Sequence, residues 1–166
     1  MNAPSLPPKP TVGQPTVLAV VGATASGKTA AALAAANWLG GAPILVADSR
    51  QAYRYMPIAT NQPTAEEQAL APHHLLAYVD PATPYTAHTW EQDALQVLAD
   101  LHPHHPVVVL CGGTGLYLKA LEHGFDPMPA IPTPIREAVR SAYDTAGLQP
   151  LLEELAQQDP VYYAQV

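Results

Sequence analysis

Apolar residues in this chain fall into short continuous runs and longer helical stripes. The short runs are Thr16–Val21 (TVLAVV), Ile44–Ala47 (ILVA) and Val107–Leu110 (VVVL), and each is followed by a glycine, an aspartate or a Cys-Gly-Gly turn. Short apolar runs rich in β-branched residues are typical of buried strands in a parallel sheet. A further short strand is predicted at Leu75–Val79.

Helical patterns separate these strands. Residues 28–39 are rich in alanine and stop at Gly40-Gly41, and a helix over 115–122 is predicted after the third strand. Residues 87–101 place apolar side chains on one helical face, namely Trp90, Ala94, Val97, Leu98 and Leu101. Strands that alternate with helices predict an α/β fold, with a mostly parallel sheet flanked by helices and a ligand site at the carboxyl ends of the strands.

Prolines mark the expected domain boundaries. Five of them in the first fifteen residues predict a flexible leader over 1–15, and residues 16–125 form the α/β core. Four more prolines in 126–134 precede helical patterns that continue to Val166. We therefore expect 126–166 to begin a helical subdomain that is incomplete, with the chain an amino-terminal portion of a longer protein.

Composition narrows the class of protein. The chain has 166 residues, 48% of them hydrophobic and 13% charged, which excludes a disordered acidic chain. It carries one cysteine, Cys111, and neither a secretion signal nor a membrane-length apolar run is visible, so a cytoplasmic protein without a membrane span is predicted. The net charge of −7 argues against a broad basic nucleic-acid surface in this part of the protein.

The strongest chemical signal is a complete G-x-x-x-x-G-K-[ST] loop between a predicted strand and a predicted helix. Its glycines let backbone N–H groups face an anion, its lysine adds a positive charge, and its last hydroxyl suits Mg²⁺. The loop predicts a nucleotide- or diphosphate-binding site that consists of Gly22, Ala23, Thr24, Ala25, Ser26, Gly27, Lys28 and Thr29.

Asp48 and Thr114 stand at the ends of the second and third predicted strands. Asp48 could act as a general base, bind Mg²⁺ through water, or cap the turn that begins at Ser49. Thr114 could cap the following helix or contact a ligand. The third strand ends in Cys-Gly-Gly-Thr-Gly without an acid, which weighs against ATP hydrolysis.

Four segments in this order and spacing, GATASGKT, ADSRQAYRYM, HHLLAYVDP and GGTGLYLKAL, resemble the tRNA dimethylallyltransferase (IPP transferase) family. The resemblance covers about residues 16–166. It implies a P-loop NTPase-like fold and a monomeric tRNA-modifying enzyme. That enzyme would transfer a dimethylallyl group from dimethylallyl diphosphate to the exocyclic amine of the adenine 3′ of the tRNA anticodon.

The same resemblance implies roles for individual residues. The loop would hold the donor diphosphate, with Lys28 and Mg²⁺ at Thr29 neutralising the leaving group. Asp48 would accept the amine proton, and Thr24 would lie near the bridging oxygen of the donor. Contacts to the flipped-out base or to other parts of the tRNA are implied for Ser49, Arg50, Gln51, Thr114 and Arg136.

One segment departs from the family. Tyr55–Pro63 replaces a Gly-Met-Asp-Ile-Gly-Thr-Ala-Lys-Pro-like run and so lacks two glycines, an acid and a lysine. Two other functions stay open, a P-loop kinase for a small molecule or nucleotide and an inactive phosphate-binding fragment. The clusters His73-His74 and His102-Pro103-His104-His105 are interpreted as structural or solvated rather than as metal ligands.

Overall fold

The computed structural model describes residues 15–126, 129 and 131–166, which form two compact units divided between Phe125 and Asp126. Four strands lie in the first unit: β1 Thr16–Val21, β2 Ile44–Ala47, β3 His73–His74 and β4 Val107–Gly112. The helices are α1 Lys28–Trp38, α2 Ala65–Leu70, α3 Ala87–Leu101, α4 Gly115–His123, α5 Thr133–Ala146, α6 Gln149–Gln158 and α7 Pro160–Tyr163.

The four strands form one parallel sheet in the order β1-β4-β2-β3. In its register, Gly112 at the end of β4 lies between Val21 of β1 and Ala47 of β2. The segments that follow these three strands therefore begin at one edge of the sheet. Both the predicted α/β class and the convergence of the strand ends are confirmed.

The period-two alternation of β2 and β4 divides their side chains between two apolar layers. On one face, Leu45 and Val108 pack with Trp90 of α3 and Tyr117 of α4. On the other face, the buried alanines of α1 pack against Ile44 and Val109. The two strands are buried on both faces, as their continuous apolar sequence predicts.

Trp90 links the helical layer to the sheet. Its indole Nε1–H donates a 3.1 Å hydrogen bond to the Val46 carbonyl, and its ring stacks on Tyr117 with centroids 4.4 Å apart. The side chain is fully buried. The hydrogen bond anchors β2 two residues before Asp48.

The predicted strand at Leu75–Val79 is wrong. The strand of this region is β3, His73–His74, which pairs with the start of β2. Leu75 and Ala77 have φ values of 57° and 49°, outside the extended region, so the chain cannot continue as a strand. Val79 instead makes an isolated bridge with Tyr53.

The second unit, Asp126–Val166, contains α5, α6 and α7. Apolar residues of α5, among them Ile135, Val139 and Tyr143, are about half exposed. Arg136 also lies on α5 and is exposed. In the part of the chain that the structure describes, no helix is both long and apolar enough to cross a membrane.

Replacing Gly112 with alanine should destabilise the first unit, because a Cβ at this position would overlap the Ala47 backbone. We expect a loss of at least about 2 kcal/mol in the free energy of unfolding, measured by urea denaturation. Gly115→Ala is the matched control, since this first residue of α4 has open space around its Cβ position. It should be neutral or stabilising. Equal effects of the two substitutions would contradict the packing argument.

Candidate active site

The predicted phosphate loop connects β1 to α1 as expected. Gly27 precedes α1 with a φ of 83°, and Ala25 also has a positive φ, 63°. The Ser26 N–H donates to the Ala23 carbonyl at 3.3 Å, which closes the turn. Among the described residues, no side chain caps α1, so its first N–H groups suit an external anion.

Lys28 lies over this loop. Its Nζ donates to the Ala23 carbonyl at 3.0 Å, and Gly113 lies close enough that an added Cβ would be 3.8 Å from the same Nζ. An ammonium has three N–H donors, so two remain for a ligand.

Asp48 follows β2 directly and closes a tight turn. Its Oδ1 accepts the Arg50 N–H at 2.9 Å, and no helix begins at Ser49. Asp48 therefore stabilises a turn through this hydrogen bond and does not cap a helix. Within the described part of the chain, no hydrogen bond engages Oδ2, which remains able to accept a proton.

Thr114 precedes α4, but its hydroxyl does not cap that helix. Oγ1 instead accepts the Ser49 N–H at 3.0 Å and donates to Ser49 Oγ at 3.4 Å. Of the two roles left open for Thr114, side-chain capping of the helix is not the one found, because the hydroxyl bonds across the edge of the sheet to the turn after Asp48.

Two clefts open at this edge and share Asp48. The first, here named the Lys28 cleft, has a volume of about 430 Å³ and is lined by Ala25, Gly27, Lys28, Thr29, Ala30, Asp48, Gln51, Asn61, Gln62, Pro63, Thr64, Glu67, Cys111 and Gly112. The second, the Thr24 cleft, has a volume of about 360 Å³ and is lined by Gly22, Ala23, Thr24, Asp48, Ser49, Arg50, Gly113 and Thr114. The structure thus brings together the loop, Asp48–Gln51 and Thr114, all within the first unit.

Arg136 belongs to the second unit, whereas the residues that line both clefts belong to the first. Its role as an RNA contact stays a prediction. Among the residues that the structure describes, no group of three or more His, Cys, Asp or Glu side chains is arranged to hold a metal ion.

Two glutamines brace the loop that borders the Lys28 cleft. Gln51 Nε2 donates to the Asn61 carbonyl at 2.7 Å and to the Thr60 carbonyl at 3.4 Å. Gln62 Nε2 donates to the carbonyls of Gln51 and Tyr53 at 3.1 and 2.8 Å. This loop therefore holds a defined shape beside the site, although it departs from the family pattern.

Sequence reasoning missed several residues that line the Lys28 cleft. Cys111 could have been found, because it directly follows a predicted strand whose end faces the site. Asn61 and Gln62 carry no such signal, since their places depend on the hydrogen bonds with Gln51 across the loop.

Burial is the main electrostatic effect on the groups beneath the site. It raises the pKa of the Cys111 thiol, an increase that the Lys28 charge partly opposes and the Asp48 charge reinforces. Burial also raises the pKa of Tyr117, with smaller contributions from Tyr53 and Asp48. Both groups are therefore neutral at physiological pH.

A parallel α/β sheet with a glycine-rich loop, an adjacent lysine and a carboxylate at the strand ends defines a P-loop protein with a phosphate-binding site. Two family models match the sequence: "IPP transferase" over residues 51–166 and "Isopentenyl transferase" over 15–77. The chain belongs to the IPP transferase family.

Individual relatives agree with this assignment. A tRNA dimethylallyltransferase of Maricaulis maris is 44% identical over 87% of this chain and 46% of its own length. Another, from Stenotrophomonas maltophilia, is 42% identical over 92% of this chain and 48% of its own length. The chain spans about half the length of the curated relatives it matches. These relatives give no support to the kinase alternative.

Solved structures show the same fold. A tRNA isopentenylpyrophosphate transferase of Bacillus halodurans matches with a TM-score of 0.66 and 31% identity, over 92% of this chain and 50% of that one. A eukaryotic dimethylallyltransferase acting on tRNA matches with a TM-score of 0.76 over 91% of this chain and 37% of that one, but at 22% identity its likeness concerns the fold alone. The P-loop NTPase-like fold is thereby confirmed.

Replacing Tyr55 with glycine should stabilise the loop. Tyr55 has a φ of 66°, at a position where the family pattern has glycine, and its side chain is 79% exposed. Removing left-handed strain of ~1–2 kcal/mol outweighs a glycine entropy cost of ~0.5–1 kcal/mol, so the free energy of unfolding should rise by up to about 1 kcal/mol.

Ala59→Gly is the matched control for Tyr55→Gly. Ala59 stands at the other lost glycine and does not have a positive φ. Its replacement should lower the free energy of unfolding by ~0.5–1 kcal/mol. Destabilisation by Tyr55→Gly in urea denaturation would show that the strain is not relieved.

Proposed function

We propose that the complete protein transfers a dimethylallyl group from dimethylallyl diphosphate to the exocyclic amine of the adenine 3′ of a tRNA anticodon. The observation that carries this proposal is the position of Asp48, which lines both clefts. A carboxylate placed between a phosphate-binding loop and a second cleft can take a proton from an acceptor while a diphosphate leaves on its other side.

The donor side consists of the loop and Lys28. The N–H groups at the start of α1 and the unused N–H donors of Lys28 would hold the diphosphate. Thr24 lines the neighbouring cleft and would lie near the bridging oxygen of the donor. These groups stabilise the negative charge that grows on the diphosphate as it leaves.

The Lys28 cleft has residues that suit Mg²⁺. Thr29 and Asp48 both line it and offer the oxygen ligands that this cation prefers. Because no cluster of three ligating acids or histidines is described, the diphosphate and water would supply most of the ligands, as is usual for Mg²⁺. The Thr29 hydroxyl is the proposed protein ligand, and the bound cation would neutralise charge on the leaving group.

The acceptor side consists of Asp48 and the turn after it. Asp48 Oδ1 is held by the Arg50 N–H, so Oδ2 is the proposed proton acceptor. Ser49 and Arg50, which line the Thr24 cleft, and Gln51, which lines the Lys28 cleft, would contact the adenine. The base must leave the stacked anticodon loop to reach these clefts. Thr114 and Arg136 are the further proposed contacts to tRNA.

The transfer needs no reactant besides the donor, the adenine and the Asp48 carboxylate. The C1–O bond of the donor breaks and its electron pair leaves with the diphosphate. The adenine amine nitrogen forms the new bond to C1, and its proton passes to Asp48 Oδ2. The allylic carbon is cation-like as the C–O bond breaks, which is why stabilising the departing diphosphate lowers the barrier.

The printed names of the relatives support tRNA as the substrate, since those relatives are tRNA dimethylallyltransferases. We propose that the protein acts as a monomer. We propose the cytoplasm as its location, where unmodified tRNA is available.

Asp48→Asn should abolish transfer of labelled dimethylallyl to an unmodified anticodon stem-loop in the presence of Mg²⁺. The assay uses this chain and the same chain continued by the carboxyl-terminal half of the Maricaulis maris relative. We expect the rate of the extended protein to fall at least ~100-fold, because the amide cannot accept the proton. Diphosphate should still bind at least as tightly as to wild type, because the substitution removes a negative charge from the Lys28 cleft and keeps a side-chain oxygen there. An extended protein that never transfers label, yet consumes ATP with a small acceptor, would overturn the proposal.

Lys28→Ala should weaken binding of inorganic diphosphate to this chain, measured by calorimetry with Mg²⁺ present. A charge-assisted hydrogen bond of ~1.5–3 kcal/mol corresponds to a rise in Kd of about ten- to a hundredfold. Lys119→Ala removes an exposed lysine of α4 that lines neither cleft and is the matched control. The same loss of affinity in both variants would mean that diphosphate binding depends only on the net charge of the protein, which would contradict a specific contact with Lys28.

A further inference from the structure

The hydroxyl of Thr114 connects two loops that are 65 residues apart in sequence. Oγ1 accepts the Ser49 N–H at 3.0 Å and donates to Ser49 Oγ at 3.4 Å. A hydroxyl has one proton and two lone pairs, so these bonds leave one lone pair unused. Thr114 can therefore offer RNA only an acceptor unless it releases Ser49.

Ser49 belongs to the turn that holds the carboxylate. The next N–H along the chain, that of Arg50, donates to Asp48 Oδ1 at 2.9 Å. Along the chain, the Ser49 N–H that Thr114 holds thus lies between the Asp48 carboxylate and the Arg50 N–H that orients this carboxylate. We propose that Thr114 is a positioning residue, which fixes the turn after Asp48 so that Oδ1 stays restrained and Oδ2 receives the proton of the acceptor.

Thr114 is itself held by rigid elements. Its N–H donates to the Ala47 carbonyl at 3.3 Å, and its carbonyl accepts the N–H groups of Tyr117 and Leu118 at the start of α4. Tyr117 is buried and stacked on Trp90. The Thr114 hydroxyl therefore has a fixed position relative to the end of β2.

The role of Asp48 Oδ2 as proton acceptor rests on the proposed function. The hydrogen bonds that hold the turn do not depend on it. The first measurement is amide hydrogen exchange of this chain, followed by NMR. In Thr114→Val, which keeps the shape and loses the hydroxyl, the amides of Ser49 and Arg50 should exchange about five- to tenfold faster. The amides of β4 should not change.

Two variants control for unrelated effects. Thr114→Ser retains the hydroxyl and should keep the slow exchange of wild type. Ser49→Ala removes only the 3.4 Å partner and leaves the backbone N–H on Thr114 Oγ1. Its exchange at position 49 should stay near that of wild type. Unchanged exchange at Ser49 and Arg50 in Thr114→Val would overturn the inference, whatever the enzyme does.

The second measurement is kinetic and uses the extended protein described above. A misplaced base should lower kcat by about a hundredfold, whereas loss of the single acceptor that Thr114 can offer RNA should raise KM by no more than a few-fold, and Thr114→Ser should restore kcat. A raised KM for RNA with unchanged kcat would instead make Thr114 a substrate contact. If the extended wild-type protein transfers nothing, the proposed function fails, while the exchange experiment still decides whether Thr114 holds the turn.

Discussion

The whole site depends on the close approach of β4 to the end of β2. Gly112 makes this approach possible, because any side chain there would meet the Ala47 backbone. The short distance lets the Thr114 N–H reach the Ala47 carbonyl and the Thr114 hydroxyl reach Ser49. A wider gap between the strands would leave the turn after Asp48 without its partner from the neighbouring strand.

The strand order also explains why Asp48 lines two clefts. Because β4 lies between β1 and β2, the phosphate loop and Asp48 begin on opposite sides of Gly112 rather than side by side. Gly113 continues between them without a side chain, and a Cβ there would come within 3.0 Å of the Gly22 carbonyl oxygen at the start of the loop. One carboxylate can therefore line a cleft on each side, which is the arrangement that a transfer between two bound substrates requires.

The local parts of this arrangement could be predicted from sequence. The loop Gly22–Thr29 is specified by glycines, a lysine and a hydroxyl within eight residues, and the apolar runs mark the strands that carry it. Longer-range contacts could not be predicted, because apolar runs do not state which strands are neighbours. The bond between Thr114 and Ser49 depends on such a contact, because it joins the segments that follow β4 and β2. The brace between Gln51 and Gln62 lies within one loop, but no turn motif in the sequence specifies its hydrogen bonds.

Positive φ angles explain a second group of differences. Leu75 and Ala77 belong to an apolar run that favours a strand, yet both adopt a conformation that apolar L-residues rarely take. The chain instead turns so that the Ala77, Tyr78 and Val79 N–H groups donate to the carbonyls of Gln51 and Ala52. Tertiary hydrogen bonds next to the site thus override the local preference of the segment, as is common where a backbone is shaped for function.

Charge in the Lys28 cleft limits how a diphosphate can bind there. Among the described residues that line it, Lys28 is the cation, while Asp48 and Glu67 are acids. The start of α1 adds about half a positive charge, so lysine and helix together do not balance a diphosphate next to Asp48. A divalent cation held by Thr29 would supply the missing positive charge. The same cation would hold the leaving group beside Asp48, which links binding of the diphosphate to the place of the proposed base.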